Sequence, residues 1–232
     1  MDSITDKIIC SVLEFSSKAK IYTFLNPVSY LDAQKNEALF LSFDGIFADG
    51  ALLVKAIEIF YKKPIKRYSF DMTSVASMLF SYAQKERKTI YIVASKQEQI
   101  ENFLRIVKGT YPNLIIIGFR NGYFADEKEQ DLEIQNILKI NPDFVIVGMG
   151  IVNQEKFLLN LKEKGFQGVG FSCGGFVHQT AGKNINYYPS WINKCNLRFA
   201  YRMYKEPHTR KRYIIAGFKF PAFFIYKRYF EK

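Results

Sequence analysis

The sequence is poor in the residues that usually announce metal or redox chemistry. It has two histidines, His178 and His208, and three cysteines, Cys10, Cys173 and Cys195. The cysteines are far apart, form no CxxC pair and show no metal-ligand spacing, which fits a reducing compartment. The histidines suggest neither a Ser/His/Asp arrangement nor a metal site, and His178 reads as an ordinary hydrogen-bonding residue. No apolar run approaches the ~20 residues that a spanning helix needs. The opening "MDSITDKIIC" lacks a basic stretch followed by an apolar one, so no signal peptide is expected. There is no DxD pair and no P-loop lysine.

What is present is a chain of 232 residues, 48% hydrophobic, enough for a sizeable core. Its net charge of +11 is uneven. Residues 198–232 hold ten Lys/Arg, two Glu and eleven aromatics, so the remainder is close to neutral. A basic, aromatic tail on such a body points to a membrane surface or a nucleic acid.

Apolar runs alternate with helical patterns. "KIYTFLN" (20–26), "ALFLSF" (38–43), "TIYIVAS" (89–95), "NLIIIGF" (113–119), "DFVIVGMG" (143–150) and "GVGFSC" (168–173) read as strands. Helices are expected after Asp49 and over 71–87, 97–109, 127–139 and 153–164, with Asp71 as a helix cap. The fold class is therefore α/β: a Rossmann-like, mostly parallel sheet flanked by helices. Pro189 and Trp191 mark a change of regime, so the expected organisation is a catalytic domain over 1–190 and a basic helical C-terminal appendage over 191–232.

Ligands of open α/β sheets bind at the carboxyl ends of the strands. The segments following the strands supply Asn26, Asp44, Asp49, Asn121, Asn153, Gln154, Glu155, His178 and Gln179, an inventory suited to a polyhydroxylated ligand. "SFDGIFADG" (42–50) places two aspartates before glycines, a pattern that reads either as a turn or as one catalytic base at a strand end. "VGMGIVNQ" carries half of a dinucleotide fingerprint but lacks the third glycine. On spacing alone Gln154 and Glu155 are helix-capping residues and Arg67 a surface residue. Arg198, Arg202 and Lys205 recur at helical spacing opposite Leu197, Tyr201 and Tyr204, as a solvated basic face backed by an aromatic stripe. Arg210, Lys211 and Arg212 follow, and "FKFPAFFIYKRYF", flanked by Lys219, Lys227 and Arg228, reads as an interfacial helix.

Eight motifs in order resemble the WecG/TagA/CpsF family of bacterial glycosyltransferases: "TFLNPVSYL", "ADG", "KRYSFD", "YPNLIIIGFRNGYF", "PDFVIVGMG" with "QE", "GVGFSCGGFVHQTAG", "YYPSW", and "NLRFAYRMYKEP" with a later "RY". The resemblance implies an inverting transfer of a sugar from a UDP-sugar donor to a polyprenyl-diphosphate-linked acceptor in surface polysaccharide synthesis. It further implies a peripheral position on the cytoplasmic face of the cell membrane. N-acetylmannosamine, its uronic acid, glucose and galactose are candidate sugars. By motif, Asp49 is the general base, and Thr23, Asn26, Arg67 and Gln154 bind the donor. Arg202, Arg210 and Arg212 hold the acceptor diphosphate. No cofactor, no metal and no nucleic-acid partner is expected. Asp44 is then a turn or supporting residue, and Asp49 is expected to stay ionised at a helix N-terminus. The chain departs from the family pattern at Val152 and Asn153 before "QE", at Tyr187-Tyr188 before Pro189, at Thr209 before Arg210, at His178 where the family often has a carboxylate, and at Arg198 where it has a glutamate. A nicotinamide-dependent enzyme and a non-catalytic basic module binding membrane or nucleic acid are the alternatives.

Overall fold

The computed structural model describes residues 2–9, 14–16, 18–182 and 187–230, with the Arg228 side chain excepted. Cys10 and the Arg228 side chain, both named above, lie outside the described residues. Six strands form one sheet: β1 (Lys20–Leu25), β2 (Gly45–Ala48), β3 (Thr89–Ala94), β4 (Ile115–Arg120), β5 (Phe144–Gly148) and β6 (Val169–Ser172). Their order is β2-β1-β6-β5-β3-β4, and every neighbouring pair is parallel. Parallel strands need crossovers, and here helices supply them. In chain order the helices are α1 (Ser3–Asp6), α2 (Pro27–Lys35), α3 (Glu37–Leu41), α4 (Ala51–Tyr61), α5 (Val75–Lys85), α6 (Gln97–Thr110), α7 (Glu127–Ile140), α8 (Asn153–Glu163), α9 (Phe176–Ala181), α10 (Ser190–Lys194), α11 (Arg198–Lys205) and α12 (Arg210–Tyr229).

The expected Rossmann-like α/β fold is what forms. Side chains of α5, α6 and α9 pack on one face of the sheet, and those of α7 and α8 on the other. Both faces of the inner strands are thus covered, which is why those strands are continuous apolar runs.

One expected strand is a helix. "ALFLSF" (38–43) falls mainly in α3, and the strand comes four residues after it, as β2. A short apolar run between turn residues cannot tell a buried strand from a buried helix turn. The consequence is functional. Asp44 precedes β2 instead of following it, so it lies at the opposite end of the sheet from Asp49. There it accepts hydrogen bonds from the Ile21 backbone N–H (2.8 Å), Lys20 (3.0 Å) and Lys162 (2.6 Å). The helix expected over 71–87 begins at Val75, and Asp71 does not cap it.

A third core layer covers the β1–β2 end. Ile4 and Ile8 join Tyr30, Leu53 and Ile57 there, and α12 closes the layer with Phe220 and Phe224. The Phe220 and Phe224 rings lie 5.9 and 5.5 Å from that of Tyr30. The tail is therefore docked along α2 and α4 by one face while its other face remains open. Among the described residues no helix is long and apolar enough to cross a membrane.

Asp2 pins this layer. Its carboxylate accepts from the Thr5 backbone N–H and hydroxyl, Tyr30 Oη (2.8 Å), Gln34 (2.7 Å) and Tyr61 Oη (2.9 Å). Burial works to raise this carboxyl, but the hydrogen bonds from Thr5, Tyr30 and Gln34 outweigh it and hold it below the usual range. Asp2→Ala should cost about 1–3 kcal/mol of stability by leaving those donors without their acceptor. A depressed carboxyl stabilises the fold above its unfolded pKa, and that contribution is lost as pH falls through the folded value. The difference in Tm between wild type and variant should accordingly be large at pH 7 and shrink in acid.

Candidate active site

A cleft of about 610 Å³ opens at the carboxyl ends of β1, β2 and β6. Its floor begins with Asp49. The Asp49 backbone N–H donates to the Leu25 carbonyl (2.7 Å), which ties the residue to the end of β1. Gly50 follows at φ +107°, a conformation that side chains rarely tolerate, and the chain turns there into α4. This is the physical content of "ADG": the glycine makes the turn that leaves the aspartate at the helix entrance.

Asp49 keeps 32% of its side-chain surface open to the cleft, and Arg67 Nε lies 3.8 Å from its Oδ1. Desolvation by the surrounding protein is the main force on its proton, and the Asp71 charge adds to it. Together they outweigh Arg67, Arg198 and Arg202 and push the carboxyl up to about 6. The helix entrance does not keep it at an ordinary carboxylate value. An acid tuned to this range is still mostly ionised at neutral pH yet is a better proton acceptor than a free aspartate.

The other wall comes from the appendage. Arg198 and Arg202 of α11 line the cleft, with Tyr188, Phe199 and Met203 beside them and Tyr213 and Ile214 from α12. The sequence expectation of a solvated basic face is inverted: the two arginines face the body, and Tyr204 is 72% exposed. Arg202 NH2 pairs with Glu206 (3.3 Å), which also accepts from Tyr187 Oη (2.8 Å). Arg198 reaches Asp71 (2.5 Å), Thr73 (2.6 Å) and Asn193 (2.7 Å), and its guanidinium lies over the Tyr188 ring. Ser69, Asp71, Tyr188, Arg198 and Tyr213 are cleft residues that the sequence did not single out as ligand-binding. The signal for Arg198 was its helical register with Arg202.

The remaining candidates divide. Asn26 and Arg67 line the cleft with Asp49 and Arg202. Asn26 also caps α2, its Oδ1 accepting from the Val28 and Ser29 backbone N–H groups. Thr23 and Gln154 do not line it. They lie beneath it around Glu155, whose carboxylate is 0% exposed. Glu155 Oε1 accepts from Thr23 Oγ1 and Gln154 Nε2 (2.8 Å each), and Oε2 from the Val152 backbone N–H (2.7 Å). Thr23 Oγ1 also meets Ser172 Oγ at 2.8 Å, and Gln154 Oε1 accepts from the Gly174 backbone N–H (3.1 Å). Arg210 donates to the Met203 carbonyl and Arg212 to Asp32, both outside the lining. Of the strand-end inventory, Gln179 joins the cleft, while Asn121, Asn153, Glu155 and His178 do not. Asn121 belongs to the far edge of the sheet, after β4, where it accepts from the Tyr123 backbone N–H.

A model of the family described as "Glycosyl transferase WecG/TagA/CpsF family" matches residues 1–232. Over 214 residues the chain is 34% identical to a UDP-Gal:alpha-D-GlcNAc-diphosphoundecaprenol beta-1,4-galactosyltransferase of Shigella boydii, covering 92% of this chain and 89% of that protein. It is 32% identical over 134 residues to an N-acetylglucosaminyldiphosphoundecaprenol N-acetyl-beta-D-mannosaminyltransferase of Bacillus subtilis (strain 168), covering 58% of this chain and 51% of that one. A protein of the same description from Bacillus spizizenii is 28% identical over 199 residues, covering 84% and 75%.

The network under the floor makes its own prediction. Thr23→Val removes one donor to a buried carboxylate and should cost about 1–3 kcal/mol. Urea denaturation of the variant checks it: the midpoint should fall with little change in slope.

Proposed function

The chain belongs to the WecG/TagA/CpsF family of glycosyltransferases, and on that premise we propose that it moves a hexose, with galactose the first candidate, from a UDP-sugar to an N-acetylglucosamine carried on a polyprenyl diphosphate. The observation that carries the mechanism is the Asp49–Arg67 pair at the mouth of α4, inside a cleft walled by further arginines. Galactose leads because the Shigella boydii galactosyltransferase is 34% identical over 92% of the chain, against 28% over 84% for the Bacillus spizizenii mannosaminyltransferase and 32% over 58% for that of Bacillus subtilis.

In this reading Asp49 accepts the proton of the acceptor hydroxyl as its oxygen bonds to the anomeric carbon. The bond from that carbon to the UDP oxygen breaks on the opposite side, and the configuration inverts. The leaving diphosphate gathers negative charge, which Arg67, Lys55 and the N-terminal N–H groups of α4 are suited to offset. Reaction without a metal cofactor is part of the proposal. Thr23 and Gln154 act from below by holding the β1 and β6 ends of the floor, and Asn26 offers its amide nitrogen to a sugar hydroxyl. Arg202 receives the lipid diphosphate, and Arg210 and Arg212 add positive potential beside Tyr213 and Ile214.

The cleft leads to an apolar edge of Leu52, Phe199, Met203 and Ile214, suited to the first isoprene units of the acceptor. Phe218, Tyr226 and Tyr229 continue the exposed apolar surface along α12 amid lysines and arginines. That surface suits peripheral attachment to an anionic membrane on its cytoplasmic face. Deleting residues 198–232 is a poor test of this role, since it would also remove Phe220 and Phe224 from the core. Leu52→Ser with Phe199→Ser should instead raise KM for a long-chain prenyl acceptor while leaving KM for the UDP-sugar within about twofold of wild type; equal changes in both would remove the lipid role.

The central experiment is UDP release from a panel of UDP-sugars with a prenyl-diphosphate-N-acetylglucosamine acceptor, with and without chelator. Acceptor-dependent release from UDP-galactose that survives chelation is expected. Release from UDP-N-acetylmannosamine instead would replace the donor, and loss in chelator would end the metal-free mechanism. Asp49→Asn should lower kcat by ~10²–10⁴. Because the base works deprotonated, wild-type kcat/KM should rise with pH through an apparent pKa of about 6.

A further inference from the structure

Arg67, Ser69 and Asp71 sit at alternate positions of one extended segment between α4 and α5. Arg67 NH2 donates to Ser69 Oγ (3.3 Å), and Arg198 NH1 reaches the same hydroxyl at 3.4 Å. The second contact of Arg198 NH1 is Asp71 Oδ2, across 127 residues of sequence. Asp71 is pre-set for this: its other oxygen, Oδ1, accepts from the backbone N–H and the hydroxyl of Thr73 (2.8 and 2.6 Å). Thr73 Oγ1 accepts in turn from Arg198 NH2. A continuous set of contacts thus runs from Asp49 through Arg67 and Ser69 to Arg198, and ends on the Asp71 carboxylate.

We infer that Asp71 and Arg198 are a positioning pair for Asp49: their ion pair fastens α11 over the cleft, keeps Arg67 turned toward Asp49, and balances one negative against one positive charge beside the base. The inference rests on the reading of Asp49 as the base. Neither residue is required to touch substrate. The pair makes the two walls of the cleft interdependent, because the segment carrying Arg67 is correctly braced only when α11 is seated.

The electrostatics agree. Burial works to raise the Asp71 carboxyl, but Arg198, Thr73 and Ser69 outweigh it and hold it ionised. The groups lining the cleft around Asp49 are Lys55 from α4, Arg67 and Asp71 from the segment between α4 and α5, Tyr188 from the segment before α10, Arg198 and Arg202 from α11, Tyr213 from α12, and the thiols of Cys173 and Cys195. Of these, Asp71 pushes the Asp49 proton affinity up, and Arg67, Arg198 and Arg202 pull it down.

The two members of one ion pair should therefore act in opposite directions. Profiles of kcat/KM against pH for Asp71→Asn and Arg198→Gln test this. Removing the negative charge should move the acid limb to lower pH, and removing the positive charge should move it to higher pH. A purely structural pair would loosen α11 in both variants and move the limb alike or leave it in place; either result overturns the inference. Arg198→Lys keeps the charge and loses the fork, so its limb should stay at the wild-type position while kcat falls severalfold. Should Asp71→Asn fail to fold by circular dichroism, the comparison of Arg198→Lys with Arg198→Gln decides alone, and coincident limbs overturn the inference. Asp49→Asn in the same series separates the two claims. If it is inactive while the limbs fail to diverge, only the positioning pair is lost; if it is active, the base itself has been misassigned.

Discussion

A carboxylate with no access to water underlies the site. Glu155 is fully buried, and an unpaired charge in that position would be untenable. Each of its hydrogen bonds therefore constrains a piece of backbone: Thr23 on β1, Gln154 at the start of α8, and Val152 in the turn after β5. Through Thr23 it reaches Ser172 on β6, and through Gln154 the Gly174 turn beyond it. Val152 adopts φ +74°, an uncommon conformation for a β-branched residue, and its N–H is directed to Glu155. The strand ends that floor the cleft are held by this one carboxyl group, whose proton affinity burial raises despite the hydrogen bonds from Gln154, Thr23 and Val152, and the strain at Val152 is offset by the bond it makes.

Above that floor, the cleft is lined by parts of the chain that are distant in sequence. The body supplies Asp49 and Arg67; α11 and α12 supply Arg202, Tyr213 and the second wall. The helical tail is not an accessory strung from a finished domain. It contributes buried aromatics to the core at one end and cations to the cleft at the other.

The sheet was legible because buried parallel strands advertise themselves as apolar runs bounded by glycine and polar residues. "ALFLSF" failed because its six residues satisfy a helix turn as well as a strand, while the true β2, "GIFA", is only four residues long. Asp44 and Asp49 were both read as following the run over 38–43, and only the family motifs singled out Asp49 and Arg67. Asp71 and Arg198 were read as a cap and a solvated charge, since nothing local shows that residues 127 apart will meet. Periodicity located the basic stripe of α11 but not its direction. The aromatic stripe offered an equally good inward face, and the contact that ties the basic face to the body is the pairing of Arg198 with Asp71.

The aromatic cluster around Tyr30 has a bearing on how the molecule is made. It joins residues near position 2, near 30, near 60 and at 220–224. A chain emerging from the ribosome can form the sheet from β1 to β6, but the layer over α2 and α4 stays open until Phe224 has been synthesised. Such long-range closure is slow relative to local helix formation. The second wall of the cleft is therefore present only once the chain has been made through α12, the same helix that closes the apolar layer.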